Sequence, residues 1–250
     1  MFGKFFLITF AFAMFIFSGF SKAGDFDVSG FVGMETRIFS QSPKHDGQKN
    51  GPELSMIFNP EFRYSAGDHR FSFIPFYRHD SRDDERSHFD VREAYWLYLA
   101  DDWEILTGVN KVFWGVTESR HLVNIINQND GVEDLDGEDY LGQPMVNIAT
   151  QTDFGRLSFY ALPGFRERTF AGASGRLRAA SPVDTNNAIY ESSAGDKHVD
   201  VAVRWSHYFG DWDVGLSHFY GTGREPRLIE NAAGTKFDPY YDIINQTGLD

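Results

Sequence analysis

From Gly24 onward apolar and polar residues alternate with a period of two, the repeat of an extended strand whose side chains point to opposite faces in turn. Phe26, Val28, Val32, Met34 and Ile38 oppose Asp27, Ser29, Glu35 and Arg37. Val199, Val201, Val203 and Trp205 oppose Asp200, Arg204 and Ser206, and Trp212, Val214, Leu216 and Tyr220 oppose Asp213, Gly215 and Ser217. Punctuation predicts strands at about 25–39, 54–65, 70–79, 88–100, 103–113, 144–151, 156–162, 197–209 and 212–221, with a tenth opening near Asp242.

The connections sort by length. Four are tight, centred on Gly67-Asp68, Asp101-Asp102, Asp153-Phe154-Gly155 and Gly210-Asp211. Gly and Asp suit tight hairpins because they tolerate positive φ or hydrogen-bond to their own backbone. The others, 40–52, 79–87, 114–143, 163–196 and 222–240, are long. Short and long alternate strictly, so all tight turns lie at one end of the sheet and all long loops at the other. Transmembrane barrels have this polarity, whereas the Greek-key connections of a β-sandwich do not sort in this way. Tyr64, Phe71, Trp103, Tyr208 and Trp212 flank the tight turns, as an interfacial girdle would. The expected fold is an all-β, antiparallel, up-and-down transmembrane barrel. The unfinished last strand, ending on Asp250, suggests about 9–10 strands of a larger one.

The strand from Phe89 to Tyr98 breaks the pattern, because either phase turns a charge outward. A β-bulge near Arg92-Glu93 would turn both charges inward.

Before Gly24 lies a different kind of segment. Lys4 precedes an uncharged run from Phe5 to Phe20, and Ser21-Lys22-Ala23 puts small residues where a signal peptidase cuts. The run is shorter than the roughly 20 residues of a spanning helix. Residues 1–23 are therefore expected to be a cleaved signal peptide, with barrel sequence over 24–250 and a bacterial outer-membrane location. Outer-membrane lipid and the barrel-assembly machinery are the expected partners. A net charge of −13 argues against nucleic acid. The absence of cysteine excludes a disulfide-framed secreted module.

Inward positions carry both signs of charge: Glu35, Arg37, Glu61, Arg63, Arg78, Arg92, Asp200 and Arg204. Rows of opposed charge give a pore its selectivity, and a wall of ion pairs that only stiffens the structure reads the same way. The loop 114–143 adds Glu118, Asp130, Glu133, Asp134, Asp136, Glu138 and Asp139. Folded into the lumen, it would set carboxylates against wall arginines. Its apolar stretch Leu122-Val123-Asn124-Ile125-Ile126 favours burial over an outer position. Asp134, Asp136 and Glu138 faintly resemble a calcium loop without its full ligand spacing. No cofactor is implied. The histidines show no metal-ligand spacing, and Gly172-Ala173-Ser174-Gly175 is not a nucleophile elbow.

Gly108-Val109-Asn110-Lys111-Val112-Phe113-Trp114-Gly115, followed by Val123-Asn124-Ile125-Ile126-Asn127-Gln128-Asn129-Asp130, resembles a group of uncharacterised proteobacterial outer-membrane proteins. Arg92-Glu93-Ala94-Tyr95 and Leu162-Pro163-Gly164-Phe165 extend the likeness over about 88–170. The resemblance implies a barrel of porin or alginate-export style and names no substrate. The expected function is an outer-membrane porin-like channel or export barrel for small or polymeric solutes, narrowed by loop 114–143. An outer-membrane hydrolase and a secreted soluble β-sheet binding protein are the alternatives.

Overall fold

The computed structural model describes residues 7–10, 17–21, 24–114 and 125–250. Most of the expected signal segment, and Glu118, lie outside them. Ten long strands make the main sheet: β1 Gly24–Arg37, β2 Glu53–Ala66, β3 His69–Asp80, β4 His88–Leu99, β5 Trp103–Asn110, β6 Gln143–Thr152, β7 Gly155–Pro163, β8 Val199–Phe209, β9 Trp212–Thr222 and β10 Ile243–Leu249. Each pairs antiparallel with its sequence neighbours, so the chain runs up and down without a crossover. Two short strands, Leu7–Phe10 and Phe17–Ser21, pair with the outer edge of β1. Among the described residues no ladder joins β1 to β10, and the sheet is open.

The connections follow the length rule. Two-residue turns join β2 to β3, β6 to β7 and β8 to β9, and three residues join β4 to β5. Gly67 (φ 55°) and Gly210 (φ 63°) take the left-handed conformation that such turns need and that a β-carbon penalises. The long connections carry small elements that their sequences do not announce. Ile189–Tyr190 and Arg227–Glu230 flank Phe237–Tyr241 in a three-stranded sheet, and Gln128–Asn129 pairs with Tyr140–Leu141.

The expected bulge is present. Ile74 pairs with Glu93 and Pro75 with Val91, which leaves Arg92 without a partner across the ladder. One extra residue restores the phase: Glu93 then sits opposite the inward Ile74 and Tyr95 opposite the inward Ser72. The charges stay on the inner face, and the apolar run beyond keeps its own side.

The two faces of the sheet are inverted relative to a water-soluble protein. Phe71, Phe73 and Tyr77 of β3 are exposed, while Ser72, Ile74, Phe76, Arg78 and Asp80 between them are buried. The same holds for Val32 and Met34 of β1, Leu54, Met56 and Phe58 of β2, Phe159 of β7, Val199 and Val201 of β8, and Leu216 and Tyr220 of β9, all exposed. Among the described residues the buried polar and charged side chains outnumber the buried apolar ones. Soluble domains bury apolar residues first and leave charges outside.

Candidate functional site: a charged clasp beneath the inward loop

Towards β5–β9 the inner face mixes polar side chains such as Asn147, Ser158 and Ser217 with an apolar cluster. Leu106, Trp114, Ile126, Met145, Leu162, Ala202 and Phe219 pack as one cluster. Towards β1–β4 it is charged. The loop from 125 to 142 lies across both regions, and its own sequence has the same two halves. Ile125 and Ile126 join the apolar cluster. Asp130 and Glu133 reach the charged side.

Local geometry fixes the loop before its charges act. Asn127 mimics a strand: its Oδ1 accepts the Val112 N–H at 2.8 Å, and its Nδ2 donates to the Val112 carbonyl at 2.7 Å. Gln128 Nε2 donates to the Arg166 carbonyl at 3.0 Å, and Asn129 Nδ2 donates to the Gly137 carbonyl at 2.7 Å. The Asn127-Gln128-Asn129-Asp130 phrase thus ties the loop to the end of β5, to the loop after β7 and to itself. Where β6 begins, a β-carbon on Gly142 would come within 2.2 Å of the Arg92 carbonyl, so only glycine fits against the bulge.

Asp130 is 1% exposed. Its Oδ2 lies 2.6 Å from Arg92 Nη2, and its Oδ1 accepts from the Thr169 hydroxyl at 2.5 Å. Burial alone would raise its pKa, but His88, Arg92 and Thr169 outweigh it and hold the carboxyl well below the ordinary range. Glu133 takes Arg78 in a two-pronged pair, with Arg78 Nε donating to Oε1 at 2.9 Å and Nη2 bonding Oε2. Such paired guanidinium–carboxylate contacts fix orientation as well as charge. Arg37 Nη2 donates to the Glu133 carbonyl at 2.6 Å.

The network extends along the wall. Glu35 bonds Arg37, Arg78 and Arg86. Arg86 also donates to Asp80 at 2.8 Å, to Ser55 at 2.5 Å and to the Val132 carbonyl at 2.9 Å. Asp90 holds Arg92 at 3.0 Å and Arg166 at 2.6 Å. His88 completes the clasp, its Nε2 3.6 Å from Asp130 and 3.7 Å from Glu133.

No family profile, curated protein or solved structure matches this chain.

Of the residues singled out from sequence, Glu35, Arg37, Arg78, Arg92 and Asp130 meet in one network. Others do not join it. Glu61 and Arg63 pair with each other at 2.5 Å near the tight-turn end, and Arg63 is half exposed. Arg204 pairs with Asp250 at 2.7 Å and donates to the Trp114 carbonyl. Asp200 binds His198 and Arg224 at the far end of β8. Asp136 faces outward, and Asp134 lies at the edge of the loop.

The calcium-like reading of Asp134, Asp136 and Glu138 is corrected. Asp134 Oδ1 accepts the Leu135 N–H and Asp136 Oδ1 the Glu138 N–H, so one oxygen of each carboxylate is held by its own loop, and among the described residues the three do not converge on one point. Among the described residues the metal-capable group is instead His88, Asp130 and Glu133, whose ligand atoms lie within 4.8 Å of one another. Arg78 and Arg92 already supply the positive charge a metal ion would bring there. The cluster is an ion-pair clasp, and a dication would have to displace two guanidinium groups.

Arg86 and Asp80 do not stand out in the sequence. They lie in or beside the run His79-Asp80-Ser81-Arg82-Asp83-Asp84-Glu85-Arg86, which reads as a solvated outer loop. Arg86 is only 2% exposed. The signal was the mixed sign of the run, which allows internal pairing, but nothing local says which of its arginines turns inward.

Proposed function

We propose that this chain forms the wall of an outer-membrane β-barrel that passes solutes, as a porin-like channel or an export barrel, with the loop 125–142 narrowing its lumen. The observation that carries this reading is the inversion of the sheet. Every strand from β1 to β9 exposes at least one large apolar side chain on the outer face, and charge is buried on the inner one. In water that outer surface would be a large aggregation hazard. Against lipid it is what a spanning sheet requires, since each strand alternates apolar-out and polar-in.

The ends of the sheet agree. Trp103, Phe154, Tyr208, Phe209 and Trp212 are exposed beside the tight turns. Trp96, His69, Tyr98 and Trp103 contact one another in that order there, with ring centres 5.1 to 5.8 Å apart. Amphipathic rings in that position suit a membrane–water boundary. The likeness of residues 88–170 to outer-membrane proteins points the same way. An open sheet edge cannot face hydrocarbon unpaired, so this reading requires β10, and β1 once the segment before Gly24 is cleaved, to find partner strands in the assembled protein.

The test is expression in a Gram-negative host followed by detergent extraction of the outer membrane and planar-bilayer recording. The reading expects heat-modifiable gel migration and discrete conductance steps. A chain recovered soluble from the periplasm contradicts it.

A further inference from the structure

Between the inward loop and the wall of β1–β4 lies a cavity of about 370 Å³, open on one side. That volume lies within the range of small-molecule sites. Its apolar lining comes from Phe31, Ile57 and Phe76 of the wall and Phe113 and Tyr140 of the loop region. Phe113 and Tyr140 meet edge to face at 5.6 Å.

The charges around it divide into two sets. Glu35, Arg37, Arg78, Arg92 and Glu133 all line the cavity, and each is already bonded to a charge of opposite sign. Glu138 has a partner of its own. Lys111, Asp134 and Asp139 form the other set. They line the same space, and none of the three takes part in an ion pair of the described structure. One ammonium and two carboxylates outside any ion pair of the described structure thus border one aromatic-walled cavity, Asp134 holding the Leu135 N–H with one oxygen only.

We propose that this cavity binds a small bipolar solute: an ammonium group held by Asp134 and Asp139, a carboxylate held by Lys111, and an apolar body laid against Phe31, Phe76 and Phe113. A free amino acid with a large apolar side chain, or a short apolar peptide, has this chemistry. The inference rests on the inner face being a solute path, and it names the solute that path would select.

Two features favour it over a simple cation or anion. A lone cation would meet Lys111 unopposed, and a lone anion would meet the two carboxylates. Asp139 also feels its own desolvation, and Glu133 and Asp136 close by, which together push its carboxyl up to about 6. An arriving ammonium relieves that crowding.

The experiment is calorimetric titration of the detergent-solubilised full chain with the dipeptide phenylalanyl-leucine, its N-acetyl form and its C-terminal amide. The zwitterion is expected to bind, and each blocked form to bind at least about tenfold more weakly, as loss of a charge-assisted contact implies. Lys111→Met should abolish the discrimination against the amide and keep that against the acetyl form. The double variant Asp134→Asn/Asp139→Asn should do the reverse. All three substitutions lie outside the paired clasp, and an unchanged strand circular-dichroism signal checks that the fold is intact. Equal binding of the three peptides, discrimination that survives in the variants, or no binding of the zwitterion overturns the proposal. Binding without bilayer conductance would keep the site and remove the channel. Conductance without binding would do the opposite.

Discussion

Arg78 grips Glu133 across the inner face, joining strand β3 to a loop residue 55 positions further along the chain. Both side chains are buried. Removing one partner of such a pair leaves the other charge stranded, at a cost of about 3–5 kcal/mol. Glu133→Ala is therefore expected to lower stability by that order, and Arg78→Met combined with Glu133→Leu to recover most of it. Urea unfolding in lipid vesicles, followed by heat-dependent gel migration, measures both. The proposed role of the loop adds a second readout, since the single variant should raise bilayer conductance.

Arg92 owes its position to the bulge and its partner to the loop. Its guanidinium lies over the Phe76 ring at 4.2 Å while holding Asp90 and Asp130. Arg92→Leu strands Asp130 and is expected to cost about 3–5 kcal/mol. Deleting residue 92 is expected to cost about the same, because Val91 opposite Pro75 and Glu93 opposite Ile74 would then follow each other in a regular ladder and Glu93 and Tyr95 would keep the inner face. Comparing the refolding yields of the two variants tests this: both should fold, and a deletion that fails where the substitution still folds would contradict it.

Asp139, an exposed side chain set beside Glu133 and Asp136, gives the loop a pH dependence. Its carboxyl is raised from 3.8 to about 6, chiefly by desolvation and then by Glu133 and Asp136. A raised folded pKa means the folded state holds its proton more tightly than the unfolded one, so stability falls as pH rises from 3.8 to about 6 and is level above. Asp139→Asn should match the parent at pH 3.5 or below and exceed it in thermal stability above about pH 6. Melting curves of both proteins from pH 3 to 8 check it. A difference that shrinks as pH rises would contradict the assignment.

The outer face yields a fourth prediction. Phe73 lies mid-strand on the exposed side, flanked by the buried Ser72 and Ile74. Phe73→Arg is expected to destabilise the vesicle-inserted protein by about 2–4 kcal/mol if that side meets the bilayer centre. The same change on a water-facing sheet would cost little and improve solubility.

Much of this fold is legible in the sequence because period-two alternation and turn length are both local. The ten strands, the parity of their connections and the bulge at Arg92 all follow from residues within a few positions of one another. The site is only half legible. Charges on the strands declare their face by parity, so Glu35, Arg37, Arg78 and Arg92 could be named. Loop residues have no such period. Asp130 and Asp136 look equivalent in sequence, yet one is buried on Arg92 and the other faces out, because Asn127 and Gly142 set where the loop lies. Arg86 was hidden for the same reason, its partners Asp80 and Glu35 being assembled only by the sheet.

The central claim is that the outer face meets lipid while the inner face is polar and covered. The chain has no cysteine, so single probes can be placed without background. Spin labels at Phe71→Cys, Ser72→Cys, Phe73→Cys, Ile74→Cys, Phe76→Cys and Tyr77→Cys in reconstituted vesicles, read by collision with oxygen and with a water-soluble nickel chelate, test it directly. High oxygen accessibility at 71, 73 and 77, alternating with low values at 72, 74 and 76, is the result the account predicts. Strong nickel accessibility at 71, 73 and 77 would place that face in water and contradict it.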